Sequence, residues 1–489
     1  MNGTSLEHLI LIRPSGELAT KSRHTRRRFQ RSLVEALEDA LASIGAEYEV
    51  QDDWGRLYVR ASSRTALDVV ARVYGIASFS EIEATTEASL DSIVEVGERV
   101  YAERVRGGTF GVKTRRSGTH SFSSRDINYE LGAALNRYAE VDLDNPDVAV
   151  RVEVRDETTY FFSDQIPGAA GLPAGVEGPA VALISGGYDS AVAASMMLRR
   201  GVALDYVFCN LAGGAYERAV LAVAKLLADE WSYGLRPQIH VVDFEEPLLQ
   251  LKECVRESYW QVILKRLMYR TGDLIARQSG AHAIVTGEAV GQVSSQTLAN
   301  LAAIDPAATT PVVRPLLGFD KGEIIDRSRK IGTYPLSEKV REYCALTKMR
   351  PVTEAVPEDV AAEEARLDLS ILDSAVEGRR VLALRELDPS ELVLPYLYTS
   401  EIAAEAVVVD TRSAAQFDAW HYPGARHCEF WDLFRGVQSL EKELTYVLYC
   451  DLGLKTAQLA EKLQRAGYEA SSFKGGVRAL RAYAEARVG

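Results

Sequence analysis

The stretch AVALISGGYDS, residues 180–190, decides the fold of the central part of this chain. An apolar run typical of a buried strand leads into two glycines flanked by serines, and a helix is expected to begin at Ser190. Glycines let the backbone approach a phosphate closely, and free amide groups and the helix dipole favour its charge. The pattern predicts a phosphate-binding turn, and the alternative is a tight turn that needs glycine for backbone reasons alone. No GK[ST] follows, which excludes a Walker loop.

Further along the chain, short apolar runs alternate with helical segments. The runs are ALDYVFCNL at 203–211, QIHVVDF at 238–244 and AIVTGEA at 283–289. This alternation is typical of a parallel, doubly wound sheet, in which ligands bind at the carboxyl ends of the strands. Because the phosphate-binding turn follows the first of these strands, we predict that the site lies at that edge of the sheet.

Several domains are predicted, because 489 residues exceed what one hydrophobic core can organise. The N-terminal unit, 1–75, has the order strand, helix, strand, strand, helix that is typical of a split βαβ fold. A second α+β unit spans 76–166, and a stretch rich in Gly and Pro leads from it into the doubly wound unit, 167–385. A tether, 386–399, precedes a final α/β unit, 400–489.

Composition is that of a soluble globular protein, with 47% apolar and 26% charged residues. Because there is no export signal and no apolar run of about 18 residues, we expect a cytoplasmic protein without a membrane segment. The net charge of −13 argues against nucleic-acid binding over the whole surface. Five scattered cysteines without a CxxC pair fit neither a disulfide scaffold nor a zinc site, so no protein metal site is predicted.

One window of the chain is strongly basic. Residues 21–31, KSRHTRRRFQR, contain six Lys or Arg, one His and no acid. Such a cluster fits a phosphate backbone, although a solvated helix face has the same composition. The candidate RNA-binding residues in this window are Lys21, Arg26, Arg27 and Arg28.

A second junction of strand and helix carries a cysteine. The apolar strand TYVLY, 445–449, leads into Cys450 and the loop DLGLKT, and a helix is expected from about Thr456. Backbone amides and the helix dipole at such a junction stabilise a thiolate, so we predict a thiol that is nucleophilic near neutral pH. The alternative is an inert cysteine buried for packing.

The loop SGGYDS resembles that of the PP-loop ATP pyrophosphatases, which split ATP between its α and β phosphates. The segments at 210–217, 262–270, 285–301 and 314–325 resemble, in order, those of the tRNA 4-thiouridine synthetases within that superfamily: NLAGGAYE, VILKRLMYR, VTGEAVGQVSSQTLANL and RPLLGFDKGEII.

That resemblance implies ATP and Mg²⁺, with Asp189 and Lys321 serving an adenylation step. A carboxylate in the loop can hold Mg²⁺, and a lysine can neutralise charge as pyrophosphate leaves. Milder interpretations are a helix cap around Asp320 and a solvated Lys265. The residues expected in the ATP pocket are Leu183, Ile184, Ser185, Gly186, Gly187, Ser190, Lys265, Gly287 and Gln296.

The second unit of the chain resembles an RNA-binding module. The segment TFGVKTRRSGTHSFSSRDINYELGAAL, 109–135, is similar to the THUMP domain of tRNA-modifying enzymes. The resemblance makes Lys113, Arg115 and Arg116 candidate phosphate contacts. The unit before it, with PSGELATKSRHTRRRF, is similar to the N-terminal ferredoxin-like domain of the same family.

The final unit resembles a rhodanese domain. VVVDTRSAAQFDAWHYPGARH, 407–427, is similar to the first half of that domain, which implies that Cys450 carries a persulfide. Many rhodanese loops have Arg where this chain has Lys455, so specificity for thiosulfate or cyanide is not carried over. The segment SEKVREYCALTKMRPVT contains Cys344, and the resemblance implies that Cys344 resolves the persulfide by forming a disulfide.

The expected architecture is multidomain, α+β and α/β: ferredoxin-like and THUMP units, a PP-loop domain with a doubly wound parallel sheet, and a C-terminal rhodanese α/β domain. The resemblance implies formation of 4-thiouridine at the uridine in position eight of tRNA, with a cysteine desulfurase as sulfur donor. It also implies sulfur transfer to the thiamine thiazole through a sulfur-carrier protein. Two alternatives stay open: a persulfide carrier for the thiazole without tRNA activity, and a non-catalytic tRNA-binding protein. A homodimer is left open.

Overall fold

The computed structural model of the chain describes residues 6–53, 55–211, 213–338, 340, 350–392, 395–436, 440–451 and 453–488. Cys344 lies outside these described residues. The chain divides into two compact units, one formed by 1–177, 198–202 and 233–235, and one formed by 178–197, 203–232 and 236–489. Among the described residues, no helix combines the length and the apolar character needed to cross a membrane.

The described strands are, in chain order, β1 His8–Pro14, β2 Tyr48–Asp53, β3 Arg56–Ala61, β4 Ile76–Glu81, β5 Ala84–Glu87, β6 Thr109–Ser117, β7 Glu140–Val141, β8 Val148–Arg155, β9 Thr158–Phe162, β10 Ile166–Pro167, β11 Pro179–Leu183, β12 Ala203–Asn210, β13 Gln238–Asp243, β14 Ile284–Val285, β15 Val312–Val313, β16 Arg380–Ala383, β17 Tyr398–Thr399, β18 Val407–Asp410, β19 Arg426–His427, β20 Thr445–Tyr449 and β21 Glu469–Phe473.

The described α-helices are, in chain order, α1 Gly16–Ala19, α2 Arg23–Ser43, α3 Ala66–Val70, α4 Leu90–Val105, α5 Ser124–Leu135, α6 Tyr188–Arg199, α7 Gly214–Trp231, α8 Glu245–Cys254, α9 Trp260–Ser279, α10 Leu298–Ile304, α11 Lys321–Lys330, α12 Tyr334–Ser337, α13 Pro357–Glu364, α14 Ser370–Glu377, α15 Ala414–Ala419, α16 Phe430–Arg435, α17 Leu454–Arg465 and α18 Gly476–Val488.

The first sheet has the order β10-β4-β1-β3-β2, and its neighbouring strands are antiparallel. Helix α2 packs on it because Phe29, Leu33, Leu37 and Leu41 recur at four-residue spacing and form one buried face. The ferredoxin-like order predicted from the sequence is confirmed. This sheet continues past residue 75, the predicted end of the first unit, because β4 pairs with β1.

The second sheet has the order β5-β9-β8-β6-β7. Strand β6 runs parallel to β8 and β7, while β9 runs antiparallel to both β8 and β5. Helices α4 and α5 cover one face, and α5 begins with a reciprocal capping box between Ser123 and Asp126. This arrangement presents the basic residues of β6 on a strand whose register is set by eight paired positions with β8.

The third sheet has the order β15-β14-β11-β12-β13-β16 and confirms the predicted doubly wound parallel sheet. All neighbours are parallel except β16, which runs antiparallel to β13 at the edge. Helix α9 is the central helix of its core, because Ile263, Leu267 and Ile275 are fully buried. The carboxyl ends of β11, β12 and β14 therefore lie side by side, and their loops meet at one edge of the sheet.

The fourth sheet is parallel and has the order β17-β21-β20-β18-β19. Strand β17 falls within the predicted tether, 386–399, yet pairs with β21, so the end of that tether belongs to the last sheet. Helices α6 and α17 begin at Tyr188 and Leu454, each two residues before the predicted start. Gly186, with a φ of +76°, lies two residues before α6, and Gly453, with a φ of +87°, directly precedes α17, so in each loop a glycine takes the turn just before the helix.

Candidate functional site

The loop between β11 and α6 is held open by its own polar groups. Gly186 has a φ of +76°, which disfavours any residue with a side chain at this turn. Ser190 Oγ accepts from Ser185 N at 3.2 Å and donates to the carbonyl of Gly187 at 3.3 Å. These contacts tie the two ends of the loop together across the start of α6, so the loop has one defined shape.

Asp189 stands in the first turn of α6 as a nearly buried carboxylate, 5% exposed. Lys321 Nζ donates to its two carboxylate oxygens at 2.9 and 3.1 Å, and Gln292 Nε2 donates to Oδ2 at 2.7 Å. Lys321 is half-exposed at the start of α11 and lies 5.4 Å from the centre of the Tyr188 ring. A cation is therefore held beside the phosphate-binding turn by a buried anion.

Gly287 allows two pieces of backbone to pack in direct contact. A Cβ at this position would lie 2.5 Å from the carbonyl carbon of Asp189 and 2.5 Å from the amide nitrogen of Ser190. Such a distance cannot be relieved by a side-chain rotation, because both neighbours are backbone. The loop after β14 thus closes on the start of α6 only because residue 287 is glycine.

A pocket of about 1070 Å³, measured with its open mouth, lies at the carboxyl ends of β11, β12 and β14. Its apolar wall suits a flat ring system, and its polar groups come from the loop between β11 and α6, from Lys265 and from the segment after β14. Eight of the residues predicted from the sequence do line this pocket: Leu183, Ile184, Ser185, Asp189, Ser190, Lys265, Gly287 and Gln296. Gly186 and Gly187 shape the turn without lining the pocket, and Lys321 reaches the pocket through Asp189.

Lys265 faces this pocket with a buried counter-ion behind it. Its Nζ lies 3.6 Å from Glu288 Oε1, and Glu288 is 2% exposed. Arg314 Nε donates to Glu288 Oε2 at 2.9 Å, and the Tyr269 hydroxyl donates to the same oxygen. Burial alone would raise the pKa of the Glu288 carboxyl, but Lys265, Tyr269 and Arg314 hold that pKa below its usual value. Glu288 is therefore ionised and balances the cations around it.

Sequence reasoning missed Tyr216 and Glu288, which line this pocket, and Gln292 and Arg314, which hydrogen-bond to its carboxylates Asp189 and Glu288. Tyr216 lines the pocket and donates its hydroxyl to the carbonyl of Ser185 at 2.9 Å. The position of Glu288 directly after the end of β14 could have indicated it, since ligands bind at carboxyl ends of parallel strands. No local pattern distinguishes Tyr216, Gln292 or Arg314, because their partners are distant in sequence.

Cys450 lies directly after β20 at a second junction of strand and helix. Gly453 N donates to Cys450 Sγ at 3.2 Å, and the hydroxyl of Thr456 lies 3.6 Å from that sulfur. Thr456 is held by Ser472, whose Oγ is 2.7 Å away. Cys450 is 6% exposed, so its sulfur accepts the Gly453 amide away from bulk water.

Residues 410–412, within the segment that resembles a rhodanese domain, are held by buried hydrogen bonds. Arg412 forms a buried ion pair with Asp410, 2.6 Å between Nη2 and Oδ2, and donates to the carbonyl of Trp420 at 2.6 Å. Thr411 N donates to the carbonyl of Tyr449, the residue before Cys450. The hydrogen bond from Thr411 and the pairing of β18 with β20 hold the end of β18 beside the residue that precedes Cys450.

Basic residues of the first compact unit line a separate pocket. Lys113 and Arg115 point to the same side of β6 and line this pocket with Arg13, Arg151 and Glu153, whose carboxylate pairs with Arg13, Arg56 and Arg155. Arg13 Nη2 lies 3.1 Å from Glu153 Oε2, and both residues are buried. Burial alone would raise the pKa of Glu153, but the surrounding arginines hold it below its usual value. Cations exceed carboxylates among the described lining residues.

The remaining basic candidates differ in how they are held. Arg116 donates to the carbonyl of Gly118 at 3.0 Å and contacts His120, on the opposite side of β6 from Arg115. Lys21 lies 5.5 Å from the centre of the Phe29 ring. Arg28 donates to the carbonyl of Val176 at 3.1 Å, so one of the hydrogen-bond donors of its guanidinium is used within the fold. Arg26 and Arg27 lie in the first two turns of α2.

Comparison with known protein families gives matches to four domain families along the chain. Residues 9–80 match the ThiI ferredoxin-like domain, 87–164 the THUMP domain, 175–369 the thiamine biosynthesis protein (ThiI) domain and 396–483 the rhodanese-like domain. The fold and site thus define a class of protein that joins a ferredoxin-like domain and a THUMP domain to a PP-loop domain and a rhodanese-like domain.

Whole-chain relatives make the assignment specific. The tRNA sulfurtransferase of Pyrobaculum aerophilum is 37% identical over 474 residues, which cover 95% of this chain and 96% of the relative. The tRNA sulfurtransferase of Desulfurococcus amylolyticus is 36% identical over 477 residues, which cover 96% of this chain and 98% of that relative. This chain belongs to the tRNA sulfurtransferase family. A solved 4-thiouridine synthetase–RNA complex with bound ATP is similar at a TM-score of 0.68 and 31% identity, covering 77% of this chain and 99% of that one.

Proposed function

We propose that this chain forms 4-thiouridine in tRNA, at the uridine in position eight, by activating the base with ATP and transferring sulfur from a persulfide on Cys450. The observation that carries the proposal is that one chain has both a pocket with a charged phosphate-binding turn and a thiol that accepts a backbone amide at a helix start. The solved relative described with RNA and bound ATP supports the choice of substrates.

Nucleotide binding follows from the chemistry of the pocket. The apolar wall takes the adenine ring, while the amides at the start of α6 and the serines of the loop donate to phosphate oxygens. Lys321 moves from Asp189 toward the phosphates and neutralises charge as pyrophosphate leaves. Lys265, balanced by Glu288, adds a second cation on the opposite wall. The AMP left on the uridine O4 turns that oxygen into a good leaving group.

Mg²⁺ fits this site with phosphate oxygens as further ligands. Among the described residues, no group of three or more His, Cys, Asp or Glu side chains could hold a metal ion alone. Asp189 is the carboxylate nearest the turn, and one carboxylate with substrate phosphates is a common environment for Mg²⁺. When bound, the ion screens the charge of the phosphates.

Sulfur transfer proceeds through two bond exchanges. A cysteine desulfurase loads sulfane sulfur onto Cys450. The terminal sulfur attacks C4 of the activated uridine, and AMP leaves with the C4–O4 bond electrons. The thiolate of Cys344 then attacks Cys450 Sγ, which breaks the sulfur–sulfur bond and releases the thiouridine. The resulting disulfide takes two electrons from a thiol reductant to reset the enzyme.

RNA binding is assigned to the basic residues of the first compact unit. Lys113 and Arg115 are exposed neighbours on one side of β6, where cations exceed carboxylates. The arginines at the start of α2 oppose the helix dipole there, at roughly 0.3–1 kcal/mol each. Helix stability therefore does not account for them, whereas contact with phosphate does.

Reconstitution tests the proposal directly. The full chain is mixed with tRNA, ATP, Mg²⁺, cysteine and a cysteine desulfurase, and near-ultraviolet absorbance of thiouridine and release of pyrophosphate are measured. Asp189→Ala is expected to abolish pyrophosphate release while Cys450 still retains labelled sulfur, and Cys450→Ser is expected to do the reverse. Cys428→Ser, in the same domain, is the matched control and retains both. Absence of thiouridine with the unaltered chain would refute the proposal.

The resolving step has its own readout. Turnover without reductant is expected to leave a disulfide between Cys344 and Cys450, detected by mass spectrometry of the digested chain. The bond requires the two Cα atoms to approach within about 7 Å. A fully active Cys344→Ser variant would remove this step while leaving the rest of the proposal in place.

A second candidate is sulfur donation for the thiazole of thiamine, delivered through a sulfur-carrier protein. It is favoured by the match of residues 175–369 to the family described as thiamine biosynthesis protein. This role needs Cys450 but neither tRNA nor the adenylation residues. Growth of a thiamine-requiring host should therefore be restored by the Asp189→Ala variant and not by Cys450→Ser. Rescue by both variants would contradict it.

A further inference from the structure

The first turn of helix α7 is hydrogen-bonded to a side chain of the rhodanese-like domain. Ala215 N donates to Glu461 Oε2 at 3.0 Å, and Glu461 lies on α17, the helix that follows the cysteine loop. The first amides of a helix have no partner inside the helix, and a carboxylate satisfies them and complements the dipole. Glu461 is 8% exposed, and while Oε2 accepts from Ala215, Oε1 accepts from Arg465 Nη2 at 2.8 Å, so both oxygens are held by partners rather than by solvent.

A pair of glycines at the start of α7 makes room for the carboxylate. Gly213 has a φ of +83°, and a Cβ on Gly214 would lie 2.7 Å from Glu461 Oε1. A carbon and an oxygen that are not covalently bonded do not approach so closely. A residue with a side chain at position 214 therefore displaces Glu461 or shifts the start of the helix. The glycines of NLAGGAYE are thus explained by a contact between domains.

Apolar packing extends this contact toward the reactive thiol. Ala215, Leu397 and Ala457 form a buried cluster that joins α7, the tether and α17. Ala457 directly follows Thr456, whose hydroxyl lies 3.6 Å from Cys450 Sγ. The surface that touches α7 is therefore part of the same helix turn that holds the cysteine.

The opposite side of the same segment borders the nucleotide pocket. Tyr216 follows Ala215 directly, lines the pocket and donates to the carbonyl of Ser185 in the phosphate-binding turn. The segment 213–216 consequently contacts both sites, with α17 on one side and the turn on the other.

We infer that Glu461 is a positioning residue that docks the Cys450-bearing domain on the first turn of α7, at the border of the nucleotide pocket, for delivery of sulfur. The inference rests on the proposed function, because it assigns Glu461 to the transfer step of that reaction. Loading of Cys450 by an outside donor and activation of the uridine in the pocket do not use the contact. Only the step that joins the two sites depends on it.

Three variants of the full chain test the inference. Glu461→Ala removes the acceptor, Gly214→Ala displaces it from the other side, and Glu461→Gln keeps an uncharged acceptor oxygen. Glu485→Ala, at an exposed position of α18, is the matched control. Each variant is assayed for hydrogen exchange of the 213–217 segment, labelled sulfur on Cys450, tRNA-dependent pyrophosphate release and thiouridine formation.

Glu461→Ala and Gly214→Ala are expected to accelerate exchange at 213–217 and to lower thiouridine formation about tenfold, in line with the loss of a helix cap. Sulfur loading and pyrophosphate release should stay within about twofold of the unaltered chain, and Glu461→Gln should recover part of the lost rate. The control should match the unaltered chain in all four assays.

Three results would overturn the inference. Unchanged exchange in Glu461→Ala means that the contact is absent in solution, and unchanged thiouridine formation means that transfer does not need it. Parallel loss of loading, pyrophosphate release and transfer means that Glu461 serves only stability. If the unaltered chain makes no thiouridine, the proposed function fails, and the exchange assay still reports on the contact by itself.

Discussion

Replacing Lys321 by Met removes one positive charge from the nucleotide site and keeps nearly the same side-chain length. In the protein without ligand the loss of folding stability is small, because Lys321 is 44% exposed and Asp189 keeps the hydrogen bond from Gln292. A half-exposed ion pair contributes at most about 1 kcal/mol to stability. Lys321→Met should therefore fold normally and unfold at nearly the same temperature as the unaltered chain.

The same substitution should act strongly on the reaction. Removing one group that stabilises developing charge typically lowers the rate by about 100- to 1000-fold, or roughly 2.7–4 kcal/mol. We expect tRNA-dependent pyrophosphate release to fall by that factor, since Lys321 Nζ stands 2.9 Å from the buried carboxylate beside the phosphate-binding turn. Binding of ATP should weaken less than the rate falls, because the charge that Lys321 neutralises develops as the bond breaks.

The assay is pyrophosphate release at saturating ATP and tRNA, together with ATP binding by calorimetry. Lys330→Met is the matched control, since Lys330 is exposed at the far end of the same helix, α11. Rates within about threefold for Lys321→Met and Lys330→Met would refute the reasoning, because a group that neutralises developing charge is worth far more than that. A fall in ATP affinity equal to the fall in rate would assign Lys321 to ground-state binding instead.

Two further predictions concern the loop and the RNA surface. Gly287→Ala should weaken ATP binding at least about tenfold, because overlap with backbone forces the loop apart, whereas Gly318→Ala, where a Cβ meets nothing within 4 Å, should bind ATP normally; equal binding by both, measured by calorimetry, would contradict the packing argument. Lys113→Ala and Arg115→Ala should each reduce the slope of log affinity for tRNA against log salt by about 1, and Arg115→Lys should preserve it. An unchanged slope in the alanine variants would place the RNA elsewhere.

Local sequence pattern was sufficient for the order of elements and for the strand, turn and helix start at two junctions. The run from 180 to 190 predicts a strand, a glycine turn and a helix start, and the structure has all three, with the helix two residues earlier. The run from 445 to 456 predicts the same for Cys450. These features depend on neighbours in the chain, so periodicity, glycine and capping residues are enough to specify them.

Partners distant in sequence were beyond that reasoning. Asp189 and Lys321 were assigned to one reaction by resemblance. The hydrogen bonds that Lys321 and Gln292 donate to Asp189 follow only from the meeting of the segments after β11, β14 and β15. The extension of the first sheet past residue 75 also depends on a distant partner. Strand β4 belongs to that sheet because it pairs with β1, and local sequence does not show which strand it will pair with.

By itself the sequence determined the alternation of strands and helices, the glycine turn and the helix start beside Cys450, since short-range backbone preferences and side-chain capping act within a few residues. Tertiary structure alone decided that Glu288 balances Lys265, that Gly287 must lack a side chain, and that Glu461 enters the first turn of α7. Those contacts arise where parallel strands end together and where one domain packs on another, and burial there makes charge pairing and close backbone approach obligatory.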